Sequence, residues 1–186
     1  MQNEIFNSIN CLKNNGVILY PTDTIWGIGC DATSETAVNK IINIKNRDKD
    51  KGLIILIDSI KSLKKYVENI PDFIIEYLKN TDKPTTVIYS NPKNIAKNLI
   101  KEDGSIAIRV TNDTFCNFLI KTFNKPIVST SANFSGEKFP TYFNEIDTEF
   151  KNKVDYTVNY RQDEELKFNP SRIIKFVDDK IIVIRD

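Results

Sequence analysis

Apolar side chains change period several times along this chain. Ile5, Ile9 and Leu12, with Phe6 beside them, recur at helical spacing before Gly16, and the run "VILY" that follows reads as a buried strand. Ala37, Val38, Ile41, Ile42 and Ile44 predict a helix from about Ser34 to Asn46, with Thr33 or Ser34 as N-cap and Glu35 at its positive end. The charged run "KNRDKDKG" then gives way to "LIILI", a short uninterrupted apolar strand ending at Asp58. Further on, Ser59 is placed to cap a helix carrying Ile60, Leu63 and Val67, and Pro71 opens another with Phe73, Ile74, Tyr77 and Leu78 on one face. "TTVIY" and "SIAIRV" predict strands, and Asp113 caps a helix holding Phe115, Leu119 and Phe123. "PIVST" is the next strand and leads into the polar turn "SANFSGE". "SRIIKFV" and "KIIVIRD", joined around Asp178 and Asp179, predict a β-hairpin. Helices and strands alternate without repeats or a flexible linker, so the expectation is a single α/β domain over residues 1–186 with a mixed sheet. The pattern leaves strand order open.

Composition narrows the chemistry. The chain has 186 residues, 40% hydrophobic and 27% charged, within reach of one core. No apolar run is long enough to span a bilayer, and "MQNEIFNSINCLKNNG" lacks the basic start and apolar stretch of a secretory signal, so a cytoplasmic location is expected. Cys11, Cys30 and Cys116 are odd in number, far apart and free of a C-x-x-C pattern. They are expected to pack as small apolar residues, with no disulfide framework and no metal site. The absence of histidine excludes Ser-His-Asp triads, Cys-His pairs and histidine-ligated zinc. With 26 basic and 25 acidic side chains, net charge +1, there is no sequence-wide field to recruit nucleic acid.

Four polar groups stand at strand or helix ends, where open α/β sheets bind ligands. Thr22, Asp23 and Thr24 follow "VILY" and read either as an Asx or Ser/Thr turn or as a ligand wall, with Gly27 and Gly29 permitting close backbone approach. Lys45 and Arg47 read either as a solvated helix end or as an anion site. Ser129, Thr130, Ser131 and Asn133 serve as turn chemistry or as partners for phosphate and carboxylate oxygens. Ser171 in "NPSRI" and Arg185 near the end are uninformative singly. Neither the G-x-x-x-x-G-K-[ST] nor the G-x-G-x-x-G loop is present.

Taken together, "YPTDTIWGIGCDA", "IKNRDKDKGLIILI", "IAIRVTND", "PIVSTSANFSGE" and "NPSRII" resemble, in order and spacing, the signature of the YrdC family of threonylcarbamoyl-AMP synthases. Its most specific part is the pair K-x-R and S-x-N, present as Lys45-Asn46-Arg47 and Ser131-Ala132-Asn133. The resemblance spans nearly the whole chain and implies the stand-alone catalytic form. It implies a twisted mixed, largely antiparallel sheet with flanking helices enclosing a polar substrate cavity. There L-threonine, bicarbonate and ATP with Mg²⁺ become threonylcarbamoyl-AMP and pyrophosphate. The product passes to a transferase complex that modifies tRNA next to the anticodon, and weak direct tRNA binding is compatible with this.

By the same resemblance, Lys45 and Arg47 are the catalytic pair on the ATP phosphates, with Ser131, Asn133 and Arg185 also on the nucleotide and Lys49 and Ser105 as further ATP contacts. Thr22, Arg109, Ser129 and Ser171 line the threonine side. Physical chemistry agrees: a zwitterion needs a cation for its carboxylate and small polar partners for its amine and hydroxyl. The phosphoryl step needs alignment and neutralised charge and no histidine.

Three departures from the family pattern mark this chain. Asp82-Lys83-Pro84-Thr85-Thr86 replaces a P-G-P-V-T-like turn, Asp48 replaces the proline after K-x-R, and Trp26 replaces a tyrosine or phenylalanine as an expected aromatic wall. The rival readings are an RNA- or tRNA-binding accessory module, which the balanced charge disfavours, and a regulatory domain of a larger carbamoyl-transferring protein.

Overall fold

In the computed structural model, which describes residues 1–46, 52–164 and 169–186, helix α1 (Gln2–Lys13) buries Ile5, Ile9 and Leu12. Strand β1 (Ile18–Tyr20) follows, then β2 (Gly27–Gly29) and helix α2 (Glu35–Lys45). Ser34 is the α2 N-cap, its side chain accepting from Ala37 N, and Asn46 closes the helix in the left-handed region at φ 47°. Strand β3 (Ile54–Ile57), the one-turn α3 (Leu63–Tyr66) and α4 (Asp72–Asn80) come next. Strands β4 (Thr85–Ser90) and β5 (Ser105–Val110) lead to α5 (Thr114–Phe123), capped by the Asp113 carboxylate. After β6 (Ile127–Ser131) come the short α6 (Thr148–Lys151) and β7 (Tyr156–Thr157), and the hairpin β8 (Arg172–Val177) and β9 (Lys180–Arg185) ends the chain.

The described strands form one twisted mixed sheet in the order β7-β1-β2-β6-β3-β5-β4-β8-β9. Five of its eight neighbour pairs are antiparallel; β1–β7, β3–β5 and β4–β8 are parallel. Side-chain alternation divides the core between the two faces. Leu19, Ile55 and Ile57 join one cluster, with Val38 and Ile41 of α2, and Ile18, Tyr20 and Leu56 join the other, with α1 and α5. Burial on both faces is why "VILY" and "LIILI" are uninterrupted apolar runs.

Two elements differ from the sequence expectation, and α6 and β7 lie where it named none. The predicted helix after Ser59 is a 3₁₀ turn (Ile60–Ser62) plus α3, and Val67 is already extended, bridging Pro92. Asp58 and Ser59 both bond to Ser62, which tightens the first turn and shortens the helix. Strand β2 lies inside the segment read as a turn, since "GIG" has almost no intrinsic strand preference. Its glycines are required by close packing: a Cβ on Gly29 would run into the Val128 carbonyl oxygen and stand 2.8 Å from Tyr20 Cε1. The close approach they permit is first of all to β6.

Candidate active site

A cleft of about 460 Å³ opens over the middle of the sheet. Strand β5 lines it with Ser105, Ala107 and Arg109, two residues apart, and β6 with Ser129, Thr130 and Ser131. Gly27, Ser171 and Arg185 border it from β2, the segment before β8, and β9. Six of the sequence-predicted site residues therefore meet here: Ser105, Arg109, Ser129, Ser131, Ser171 and Arg185. Thr24, read with Thr22 and Asp23 as a turn or a ligand wall, lines it too, as does Lys101, which was not singled out. Lys101 carries no sequence signal, whereas Thr24 sits in the conspicuous T-D-T turn.

Arg109 is the most constrained of these groups. Only 4% exposed, it donates from NH1 to Thr24 Oγ1 at 3.1 Å, and its NH2 stands 3.1 Å from Asp23 Oδ1 as an ion pair. That contact lacks hydrogen-bond geometry, and among the described residues neither Asp23 Oδ1 nor Arg109 Nε has a hydrogen-bond partner. A buried guanidinium edge with donor capacity left over is costly unless something else accepts from it.

The T-D-T turn shapes this arginine from behind. Thr22 Oγ1 donates to Ile25 O at 2.8 Å and accepts from Thr24 N at 3.0 Å. With the Thr22 proton so committed, Thr24 is the donor in the 3.0 Å contact between the two hydroxyls. Thr22 is thus a Ser/Thr turn whose hydroxyl supports Thr24 and, through it, Arg109. It is not among the residues lining the cleft, but borders a small niche with Trp26, Thr141 and Arg161. Trp26 is a core residue, 6% exposed and 4.8 Å from the Phe143 ring, while its neighbours Ile25 and Gly27 face the cleft. The aromatic wall expected at Trp26 is therefore a packed anchor for the turn.

Lys45 also lies beneath the cleft surface. Its ammonium, 1% exposed, donates to the carbonyls of Ser131 at 2.5 Å and Asn133 at 2.6 Å and lies 5.7 Å from the Phe150 ring centroid. The last turn of α2 is in this way fastened to the S-A-N turn, as is also done by Ser135 N donating to Lys45 O at 3.0 Å. Asn133 donates from Nδ2 to the Phe134 and Glu137 carbonyls, and its buried Oδ1 has no hydrogen-bond partner among the described residues. Neither Lys45 nor Asn133 is among the lining residues. Arg47, Asp48 and Lys49 lie outside the described residues.

On the far wall, Ser171 Oγ stands 2.8 Å from Thr86 Oγ1, and the Ser171 carbonyl accepts from Arg185 Nε at 3.1 Å and NH2 at 2.7 Å. The altered Asp82–Thr86 turn thus delivers Thr86 to orient Ser171. Burial, then the like charge of Arg109, lowers the Arg185 pKa, which marks two cations converging on one cavity. The described lining holds arginine, lysine, hydroxyls and apolar surface but no carboxylate, a composition suited to an anionic ligand with an apolar part. Cys30 and Cys116 are buried free thiols, their pKa pushed up mainly by burial, and belong to the core.

Known proteins share this architecture. A threonylcarbamoyl-AMP synthase of Pseudoalteromonas translucida (strain TAC 125) is 37% identical over 161 residues, 85% of this chain and 86% of that protein. The crystal structure of P. abyssi Sua5 complexed with L-threonine superposes with a TM-score of 0.86 at 23% identity, over 97% of this chain and 53% of that one, so this chain spans about half its length. E. coli YciO superposes at TM-score 0.86 and 23% identity over 100% of this chain and 90% of that one. No helix among the described residues is long and apolar enough to cross a membrane. The family profile described as telomere recombination matches residues 10–186, and the chain belongs to the Sua5/YciO/YrdC family.

Proposed function

We propose that this chain is an L-threonylcarbamoyladenylate synthase, one catalytic domain over residues 1–186. The nitrogen of L-threonine captures bicarbonate as a carbamate with loss of water. A carbamate oxygen then attacks the α-phosphorus of ATP, and pyrophosphate leaves with the bonding electrons. The product is threonylcarbamoyl-AMP, which supplies a tRNA threonylcarbamoyl transferase complex in the cytoplasm.

One observation carries this reading: a buried arginine, Arg109, lines the cleft with an Nε that has no hydrogen-bond partner among the described residues, held by Asp23 and Thr24 in a cleft also lined by serine hydroxyls. In this proposal Arg109 receives the threonine carboxylate, while Ser129 and Ser171 supply small polar contacts and Thr22 acts from behind through Thr24. Ser105, Ser131, Asn133 and Arg185 form the nucleotide side. Lys45 serves it by fixing the S-A-N turn, and Arg47 and Lys49 add cations. Mg²⁺ enters with the ATP it accompanies; the described lining offers no carboxylate to hold it, and no step depends on it here. The names of the relatives, one a threonylcarbamoyl-AMP synthase and one solved with L-threonine, support the same substrate class.

The test is pyrophosphate release from ATP with threonine and bicarbonate omitted in turn. Release should require both, because the attacking oxygen belongs to their adduct. Equal release without threonine overturns the proposal.

A further inference from the structure

Lys101 is the one lysine that borders the cleft among the described residues, and no role above uses it. A tight turn at the start of β5 fixes its backbone. Lys101 N donates to the Ser105 carbonyl at 3.0 Å, and Gly104 N donates to the Lys101 carbonyl at 2.8 Å. Gly104 closes the turn at φ 75°, in the left-handed region that glycine fills without strain. Lys101 therefore stands beside Ser105, the first residue of β5 and a nucleotide contact in the proposal above.

The lysine stem runs along Gly52. A Cβ on that glycine would stand 3.1 Å from Lys101 Cδ, 3.4 Å from Cγ and 3.7 Å from Cε. The stem is thus seated on the backbone that leads into β3, five residues after Arg47 in the sequence. The exposed ammonium at its end has no ion pair or hydrogen bond among the described residues. Its acidic neighbours do not claim it: Glu102 and Asp103 do not line the cleft, and Asp103 Oδ1 accepts from Ser105 N at 3.0 Å.

Position along β5 decides which part of an anionic ligand this cation meets. Ser105 and Arg109 are four residues apart on one face of the strand, about 13 Å at the usual rise of about 3.3 Å per residue. In threonylcarbamoyl-AMP only five bonds separate the threonine carboxylate from the α-phosphorus, about 6 Å when extended. With the carboxylate on Arg109, the α-phosphorus falls short of the Lys101 end, and the phosphates beyond it are what reach the ammonium. A compact charge on a flexible stem suits that place, since it follows phosphate oxygens without needing the fixed fork of an arginine.

We infer that Lys101 binds the β- and γ-phosphates of ATP at the end of the cleft remote from Arg109. The inference rests on the ATP-using reading above and adds a residue to it.

Calorimetric titration of wild type, Lys101→Met and Lys101→Arg with ATP and with AMP, without threonine so that no turnover occurs, tests it. Methionine keeps the packing of the stem on Gly52, so this variant reads the charge alone. Its ATP dissociation constant should rise about tenfold, the scale of one charge-assisted contact, while that for AMP stays within about twofold. Lys101→Arg should recover most of the ATP affinity, and melting curves should show all three proteins equally folded. An ATP affinity that Lys101→Met leaves within about twofold of wild type overturns the inference. So does an equal loss for AMP, which puts the lysine on the nucleoside or the α-phosphate. Pyrophosphate release separates the two levels of the argument. A wild type that releases pyrophosphate while Lys101→Met binds ATP normally refutes the lysine contact alone. A wild type whose ATP affinity depends on Lys101 but which releases no pyrophosphate upholds the contact and refutes the synthase. A wild type that binds no ATP refutes both.

Discussion

Replacing Lys45 with methionine keeps the length and most of the volume of the side chain but deletes the ammonium. The carbonyls of Ser131 and Asn133, 2.5 and 2.6 Å from that nitrogen, then lose a donor in a place where the side chain is 1% exposed. Hydrogen bonds from a charged donor contribute about 1.5–3 kcal/mol each, so two amount to roughly 3–6 kcal/mol. Methionine escapes the cost of burying a charge, several kcal/mol per ion, which offsets part of that loss. The expected net destabilisation is about 2–4 kcal/mol, within the 5–15 kcal/mol typical of a domain, so the variant should still fold. For a chain of this size that lowers the melting temperature by roughly 4–16 °C. Differential scanning calorimetry and urea denaturation of both proteins measure it, and an unchanged urea slope shows that the unfolded reference is the same. Amide exchange should also quicken around Ser135, whose N–H bonds to the Lys45 carbonyl. A melting temperature within about 2 °C of wild type would refute the view of Lys45 as the fastening between α2 and the S-A-N turn.

Gly29→Ala should cost about 3 kcal/mol, because the new methyl meets the Val128 backbone oxygen and the Tyr20 ring, neither at the free end of a flexible chain; urea denaturation checks it. Tyr89→Phe should stabilise the protein at neutral pH by about 1 kcal/mol, since the buried Tyr89 hydroxyl has no hydrogen-bond partner among the described residues. The same variant probes alkaline stability. Burial raises the folded-state pKa of Tyr89 above its ordinary value of 10.0, so its contribution is fully present below pH 10 and is lost as pH rises beyond it. That loss runs at about 1.4 kcal/mol per pH unit, and the phenylalanine variant should lack it when urea midpoints are followed from pH 7 to about 11. Tyr20, raised by burial as well, keeps its own share.

Helices α1, α2, α4 and α5 and the long strands were legible because their apolar residues recur with the right period and caps such as Ser34 and Asp113 are local, bonding to amides three residues ahead. Strand β2 was not legible, since its reason to be glycine lies in contacts with Val128 and Thr130 about a hundred residues later. β7, two residues long, is too short to show a period. At the site, the fold places Arg109, Ser129, Ser131, Ser171 and Arg185, all singled out from their motifs, along one cleft. What spacing could not convey is depth. Lys45 and Thr22 stand in the right motifs, yet their polar atoms are occupied by backbone carbonyls, which only packing decides.

The parallel pairing of β1 with β7 bears on how the protein is made. Val17 N–H donates to the Asp155 carboxylate, 138 residues further along the chain, right beside the register Ile18↔Tyr156. At ribosomal rates of about 5–20 residues per second, roughly 7–28 s separate the synthesis of these two partners. During that interval one side of the most apolar early strand has no native neighbour, and no local rearrangement can supply one. Loop closure over such a distance is slow as well as late. A nascent chain of this kind is exposed to chaperones and to misassociation until its last quarter emerges, so substitutions in β7, although it is two residues long, should lower the yield of folded protein more than they lower its final stability.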